Sequence, residues 1–488
     1  MLSFRIAIFT ISSLALVSCA VGPNFHRPAS PATPSYTASP LPKKTASVKG
    51  QGGAAQQFEM YKDIPAQWWA LFQSEDLNEL IQQGLANSPN LAAAQAALRE
   101  AHDNLWAGIG AGLFPLITGQ FNAQREQFSG NTFGQPGTNL FNLYNAQVNV
   151  SYTLDVFGGI RRQIEALGAQ EDYERFELAA TYLSLTANIV TTAIAQAQLR
   201  AQISATYELI QSQEESLRII NGQFQLGGVA RTDVLAQQTL LAQTYATLPP
   251  LEKSLAQTRH ALAVLVGRLP SDDQLPVFDL SQLKLPTHLP ISLPSRLVAQ
   301  RPDVRAAEAL MHAASAQIGV ATANLLPQFT LNGYYGATAN QLKDLFKHSS
   351  EIWDIEGQVM QTIFNGGALL AKRRAAIDAY QQAAAQYRET VLQAFQNVAD
   401  ALRALQYDAI ALRAQTQAES SARGTLRLTR QQFKLGAVNY LSLLNAEIQY
   451  QQTRIARVQA EAQRFTDTAA LFQALGGGWW NNPGAVAT

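Results

Sequence analysis

The 488-residue chain contains one cysteine, Cys19, so it can form no internal disulfide and packing must hold the fold. Lys and Arg total 36 and Asp and Glu total 36, a net charge of zero. With no basic run or patch, that balance argues against a nucleic-acid partner. The six histidines are scattered without a paired ligand spacing. No Gly-rich phosphate loop and no nucleophile motif occur either, so no metal, no cofactor and no enzymatic activity are expected. Long apolar runs are also missing. The mostly apolar stretch from Ile6 to Leu16 is about eleven residues, too short to cross a bilayer as a helix.

That stretch comes after Arg5 and ends in Leu16-Val-Ser-Cys19, which reads as a signal peptide over 1–18 with a lipobox. The lone thiol then has a use, as a lipid attachment point, and Ala20 after it favours the outer membrane. Several acyl chains would anchor firmly where one would not. Residues 19–58 are rich in Pro, Ser, Ala, Thr and Gly, and they read as a lipid-anchored flexible tether.

The rest is one unit written twice. Arg161 to Gly267 and Leu369 to Gly477 are Ala-, Gln- and Leu-rich and poor in Gly and Pro. Each has a mid-point turn. Phe224-Gln-Leu-Gly-Gly-Val in the first answers Phe433-Lys-Leu-Gly-Ala-Val in the second, roughly 210 residues on. A run of about 65 residues makes a helix on the order of 100 Å long, too long for an ordinary globular core. Apolar steps of three and four, as in Ile377, Tyr380, Ala384, Tyr387 and Val391, give a helix-on-helix seam. An antiparallel coiled coil satisfies the same spacing. Pro249-Pro250 is expected to interrupt the first returning helix.

Before each long helix come a short helix, a Pro and a pair of strands. The strands read as Leu116 to Gln127 with Ala146 to Val156, and Phe329 to Thr338 with Ile352 to Phe364. Four strands cannot close. If their apolar face meets lipid, closure is compulsory and needs further chains, because membrane barrels have at least about eight strands. A small soluble sheet packed on the helices is the competing reading. Arg161-Arg162 and Lys372-Arg373-Arg374 open the long helices, where cations oppose the macrodipole. Either membrane headgroup phosphates or water would offset them.

The divisions are therefore a first repeat at 59–267 (strands about 115–157, long helices about 160–267), a connector at 268–300, a second repeat at 301–477 (strands about 327–364, long helices about 367–475), and a disordered tail at 478–488. The marks Cys19-Ala-Val-Gly-Pro-Asn-Phe25, Trp68-Trp69-Ala-Leu-Phe72, Arg301-Pro-Asp-Val-Arg-Ala-Ala-Glu308, Phe364-Asn-Gly-Gly367 and Leu475-Gly-Gly-Gly-Trp479 run through nearly the whole mature chain. With the duplication they resemble the TolC-like outer membrane factor family, in its lipoprotein branch that serves resistance-nodulation-division efflux pumps.

The resemblance implies a mainly α fold with a membrane β part. A homotrimer would share one 12-stranded outer membrane β-barrel, continuous with a long periplasmic α-barrel and an equatorial belt. It implies a passive duct for small molecules such as drugs. The expected partners are a periplasmic adaptor protein, an inner membrane transporter and outer membrane lipid. The two turns become periplasmic tips, built from Leu226, Gly227, Asp233 and Leu235 and from Leu435, Gly436, Leu441, Ser442, Leu443, Leu444 and Asn445. The family often places Asp after the second turn. Here Ser442 and Asn445 stand there, and Asp233 remains the acidic residue, so a closed gate should depend more on packing by Leu441, Leu443 and Leu444. A lipid-anchored coiled-coil scaffold without a pore and a protein-secretion duct are the alternatives.

Overall fold

The computed structural model describes residues 20–129, 137–272 and 274–481. The leader, Cys19, the middle of the first strand loop and the tail from residue 482 lie outside the described residues. In chain order the elements are β1 (Gln57–Met60), α1 (Glu75–Asn87), α2 (Pro89–Leu113), β2 (Leu116–Ser129), β3 (Thr138–Leu154), α3 (Gly159–Gln225), α4 (Arg231–Leu265), β4 (His288–Ile291), α5 (Pro294–Gln300), α6 (Pro302–Ala323), β5 (Gln328–Ala339), β6 (Glu351–Met360), α7 (Ala368–Lys434) and α8 (Tyr440–Ala474). Short helix, two strands, long helix and returning helix recur in that order. The long helices match in length, at 67 residues each, and the returning helices at 35 each.

The chain divides into two compact units. Among the described residues, the first takes in 20–28, Ala97–Glu174 and Ala306–Arg388, and the second takes in Ala29–Ala96, Arg175–Arg305 and 389–481.

The first unit holds a four-stranded antiparallel sheet in the order β2-β3-β5-β6. The register sorts its side chains by chemistry. One face carries the rows Ile117–Val150–Gly333–Ile355, Gly119–Val148–Tyr335–Trp353 and Phe121–Ala146–Ala337–Glu351, apolar but for that last acid at the loop end. The other carries Thr118–Asn149–Tyr334–Asp354 and, next to it, Leu116–Ser151–Asn332–Glu356, polar but for the first residue of β2. On this second face Ser151 Oγ donates to Asn332 Oδ1 at 2.8 Å and Gln147 Nε2 to Asn149 Oδ1 at 2.8 Å. The apolar face is bare: Trp353 is 69 % exposed and Ile355 79 %. β2 and β6 are edges within the chain.

The strand bounds differ from the expected ones by one or two residues at several ends, including β3, which stops at Leu154 rather than Val156, and by more at two. β3 starts at Thr138, where Leu140-Phe141 breaks the alternation, because β2 offers it ladder partners as far as Ser129. β6 stops at Met360 rather than Phe364, since its partner β5 begins at Gln328, just after Pro327, which has no N–H to give.

The segment after Cys19 is fixed, contrary to the flexible tether expected. The Val21 N–H donates to Phe157 O at 2.9 Å. Gly22, at φ +94°, lies so close to Gly319 that a Cβ on it would sit 2.4 Å from the Gly319 Cα. Phe25 stacks on His312 with centroids 4.4 Å apart, and Arg27 pairs with Glu308 at 3.0 Å.

In the second unit the remainder of that segment is also held. β1 pairs in parallel with β4, and Lys44 bridges to Gln57. Arg464 of α8 is fully buried beneath it, donating to Gly52 O (2.5 Å), Ala54 O (3.1 Å), Gln56 Oε1 (2.9 Å) and Thr45 Oγ1 (3.3 Å). Four acceptors replace the water that burial removed, which the Pro- and Ser-rich composition of the segment cannot reveal. Nearby, the fully buried Trp68 and Phe72 pack on Phe472 and Phe465 with centroids 5.5 and 6.4 Å apart.

Two further expectations change here. α4 runs through Pro249-Pro250 without a break. The carbonyls that lose their donors, Tyr245 and Ala246, are on the exposed side, where water can take over. The tail is ordered at its start: Trp479–Asn481 forms a 3-10 turn, with Trp479 Nε1 donating to Gln300 O at 2.7 Å.

Arg464→Met keeps the volume and removes the donors, so protease cleavage between residues 45 and 60 should quicken at least tenfold, the equivalent of about 1.4 kcal/mol of local opening; an unchanged rate would refute the clasp. Asp408 sets a pH dependence. Its carboxyl is pushed up to about 8 by burial and by its hydrogen bond and charge contact with Asp467. A carboxyl with a raised folded pKa binds its proton more tightly when folded. Its contribution is therefore full below the ordinary carboxylate range and is lost as pH rises through about 8. Thermal stability should fall as pH rises from about 4 to about 8 and level off above, and in Asp408→Asn it should fall less.

Candidate functional site

The two mid-point turns come together in the second unit. Each closes its helix in the same way. Gly227 and Gly436 adopt left-handed φ of +78° and +75°. The Gly228 N–H returns to Gln223 O at 2.8 Å and that of Gly227 to Phe224 O at 3.0 Å, while Ala437 and Gly436 repeat this on Gln432 and Phe433 at 2.9 and 3.0 Å. These are Schellman caps, and they need a residue without a Cβ at the left-handed position.

The returning helices are capped in opposite ways. In the first turn Asp233, three residues into the helix, accepts the Ala230 N–H at 3.1 Å. In the second turn Asn439, preceding the helix, accepts the Ser442 N–H at 3.1 Å and its hydroxyl at 2.8 Å. Asp233 and Ser442 are thus equivalent positions with exchanged roles, and the acid in the first turn has a local structural use.

Between the turns lies one apolar cluster of Ile220, Val234, Leu426, Phe433, Tyr440, Leu443 and Ala446, with Leu444 packed against it. Leu443 is 3 % exposed. Leu443 and Leu444 therefore hold the two hairpins to each other inside the chain, whereas Leu441 is 58 % exposed. Leu441 and Asn445, one helical turn apart, share an exposed face of α8 with Ser442 beside them. Leu226 and Leu435 are 88 % and 84 % exposed at the turn apices, and Leu235 is 48 % exposed.

A polar seam under the cluster was not foreseen from the sequence. The Tyr440 hydroxyl bonds to Gln237 Oε1, and Gln237 Nε2 donates to Gln213 O at 3.1 Å. Burial first, then the Glu447 and Asp233 charges, push the Tyr440 hydroxyl well above its ordinary range, so it stays a donor. Glu447, 4 % exposed, accepts from Ser216 Oγ at 2.6 Å and from Arg430 at 3.1 Å, and Arg430 also reaches Ser212 Oγ at 2.7 Å. The seam ties α3, α4, α7 and α8. Its one signal in the sequence is a charged pair, Arg430 and Glu447, on either side of the Leu-rich second turn.

The five cations at the helix starts do not form one group. Arg161 donates through Nε to Asp155 Oδ2 at 3.1 Å, and that carboxylate also takes the Ile160 and Arg161 N–H groups at 2.9 and 3.0 Å. Asp155 thus offsets both the helix terminus and the Arg. Arg162 is 5 % exposed and is spent on Glu165 (2.6 Å), Val21 O (3.2 Å) and Asn24 Oδ1 (2.7 Å). The headgroup role expected of these two is replaced by an internal one. Lys372, Arg373 and Arg374 are exposed, with Arg373 also reaching Thr322 Oγ1 at 3.3 Å.

Among the described residues no group of three or more His, Cys, Asp or Glu is placed to hold a metal ion. The chain is similar along its length to known proteins. Cation efflux system protein CusC of Escherichia coli O6:H1 is 28 % identical over 475 residues, 96 % of this chain and 97 % of that one. Pyoverdine export outer membrane protein OpmQ of Pseudomonas putida is 29 % identical over 419 residues, 84 % of this chain and 88 % of that one. The solved outer-membrane channel OprN superposes with a TM-score of 0.86 at 26 % identity, over 94 % of this chain and all of that one. The model of the outer membrane efflux protein family matches residues 80–268 and 293–477, the two repeats in turn. An outward apolar sheet face, a polar inner face and paired helical turns are what such a channel requires, and the chain belongs to the outer membrane efflux protein family.

Proposed function

We propose that three copies of this chain form one passive duct, the outer membrane part of a tripartite pump. The observation that carries this is the open sheet with one apolar and one polar face. Hydrocarbon offers no hydrogen bonds to the free edges of β2 and β6, so β2 of one copy pairs with β6 of the next. Three copies of four strands make a barrel of twelve, wide enough for a water-filled lumen lined by the polar face.

The tips meet a periplasmic adaptor through Leu226, Gly227, Leu435 and Gly436, and the adaptor joins the duct to an inner membrane transporter that supplies the energy. Leu441, with Ser442 and Asn445 beside it, faces the lumen and narrows the closed tip. Cys19 carries the lipid anchor, and the fixed segment from Val21 to Arg27 holds that anchor at the start of the long helices. The relatives' names speak of different cargoes, cations for CusC and pyoverdine for OpmQ. The cargo here is accordingly a small solute chosen by the transporter.

Electron microscopy of the detergent-extracted protein should give a hollow, three-fold particle, and the N-terminal peptide should carry the mass of a lipidated Cys19. Thin solid rods or monomers would leave the anchored scaffold instead. In planar bilayers Leu441→Ala should raise the single-channel conductance about twofold or more. Divalent cations should block weakly, and Asp233→Asn should not alter that block, because the Asp233 carboxylate is engaged by its own helix terminus. Strong block that disappears in Asp233→Asn would place a charged ring in the lumen and overturn the leucine constriction.

A further inference from the structure

A furrow of about 580 Å³ lies on the apolar face of the sheet. Its apolar walls include Gly119 and Phe121 of β2, Val148 of β3, Tyr335 of β5 and Phe346 of the loop between β5 and β6, and its polar lining includes Lys347 and the acid Glu351. The register explains it. The row Gly119–Val148–Tyr335 begins without a side chain, and the adjoining row Phe121–Ala146–Ala337 has two small ones. A slot one side chain deep is left between aromatic walls, and a Cβ built on Gly119 would meet nothing within 4 Å.

The loop over this slot is a built structure. Leu345 is fully buried, the Lys347 N–H returns to Asp344 O at 3.1 Å, and Ser350 Oγ donates to Asp344 O at 2.8 Å. That construction leaves Phe346 84 % exposed over an apolar surface. The furrow lies beneath the loop that joins β5 to β6, at the end of that hairpin opposite α6 and α7 and so toward the outer leaflet, and it reaches down to Gly119, the fourth residue of β2.

Cations gather at its mouth. The loop holds Lys343, Lys347 and His348 against Asp344 and Glu351. Lys347 pairs with Asp344 at 2.5 Å and His348 with Glu351 at 2.8 Å, an interaction that raises the His348 pKa. Lys347 offsets Asp344, His348 offsets Glu351 when it is protonated, and Lys343 is exposed beside them. Two rows beyond Phe121 on the same face, β2 adds exposed Arg125, opposite Asn142. Apolar slot and cationic rim together match a lipid with packed acyl chains and a phosphorylated head. The slot is continuous with the hydrocarbon-facing band, where an unfilled groove forfeits contacts on one side.

We propose that this furrow is a binding site for a multiply acylated phosphoglycolipid of the outer leaflet, one acyl chain lying between Phe121, Tyr335 and Phe346 and a phosphate meeting Lys343, Lys347 and Arg125. This rests on the outer membrane barrel reading. The bidentate Arg125 and the two ammonium groups suit a phosphate, and the exposed Phe346 covers the chain.

The test uses the whole assembled protein in detergent, incubated with bisphosphorylated hexa-acyl lipid A or with phosphatidylglycerol, and read by native mass spectrometry. Retention of lipid A should exceed that of phosphatidylglycerol at least tenfold. Gly119→Phe fills the slot and should cut lipid A retention about tenfold. Gly119→Leu is the milder variant if the first fails to assemble. Lys343→Gln with Lys347→Gln should reduce the preference for bisphosphorylated over dephosphorylated lipid A about fivefold. Equal retention of the two lipids, or equal retention by wild type and the filled variant, overturns the site. Channel conductance of the same wild-type preparation separates the readings: conducting channels without lipid preference refute the site alone, whereas a preparation that never inserts refutes the barrel beneath it.

Discussion

Hydrocarbon cannot accept or donate a hydrogen bond, and that constraint governs the sheet. Every second residue along a free strand edge would leave its backbone groups unpaired, at a cost of several kcal/mol. Four strands with a bare apolar face and two open edges are therefore an incomplete object. Ile355 and Trp353 in the open make sense as a surface for lipid, and the Ser151–Asn332 and Gln147–Asn149 bonds make sense as a wetted inner wall. Completion must come from further copies of the chain. The result is a duct rather than a plug, because a barrel larger than eight strands is too wide for side chains to fill.

Duplication carries a parallel constraint in the helices. Both turns reverse the chain with a left-handed glycine and the same two return hydrogen bonds. The helix starts beyond the turns have diverged. Asp233 caps from inside its helix and Asn439 from outside, so the acid is needed in the first copy and dispensable in the second. Likewise Asp155 offsets the start of α3, while the equivalent position before α7 is Thr362. The two halves share a backbone solution and differ in how they settle its electrostatics.

The legible parts of the sequence are those where a single period decides the outcome. Alternation from Ala146 to Val156 marked a strand, the long Pro-free runs marked the helices, and the paired Phe-x-Leu-Gly turns marked the tips. The parts that escaped depend on partners distant in sequence. The segment at 20–58 has the composition of a linker, but Arg464, more than four hundred residues away, satisfies its carbonyls, and Gly22 fits only because Gly319 faces it. Leu443 and Leu441 are the same residue type two positions apart. Only the packing of Phe433 and Ile220 distinguishes the one that fastens the hairpins from the one left exposed.

The fate of Arg161 and Arg162 shows why charge near a membrane is ambiguous in a sequence. An Arg at the start of a helix meets an unfavourable dipole worth roughly 0.3–1 kcal/mol, so a compensating anion is to be sought. A lipid phosphate and a protein carboxylate are equivalent for that purpose. The carboxylate wins here because Asp155 is fixed by the strand end and needs no lipid to be captured, and Arg162 is drawn under the segment it holds. Lys372 and Arg374 have no strand-end acid before them, so the same argument that removes the first pair from the membrane surface leaves the second exposed to whatever anion its surroundings offer.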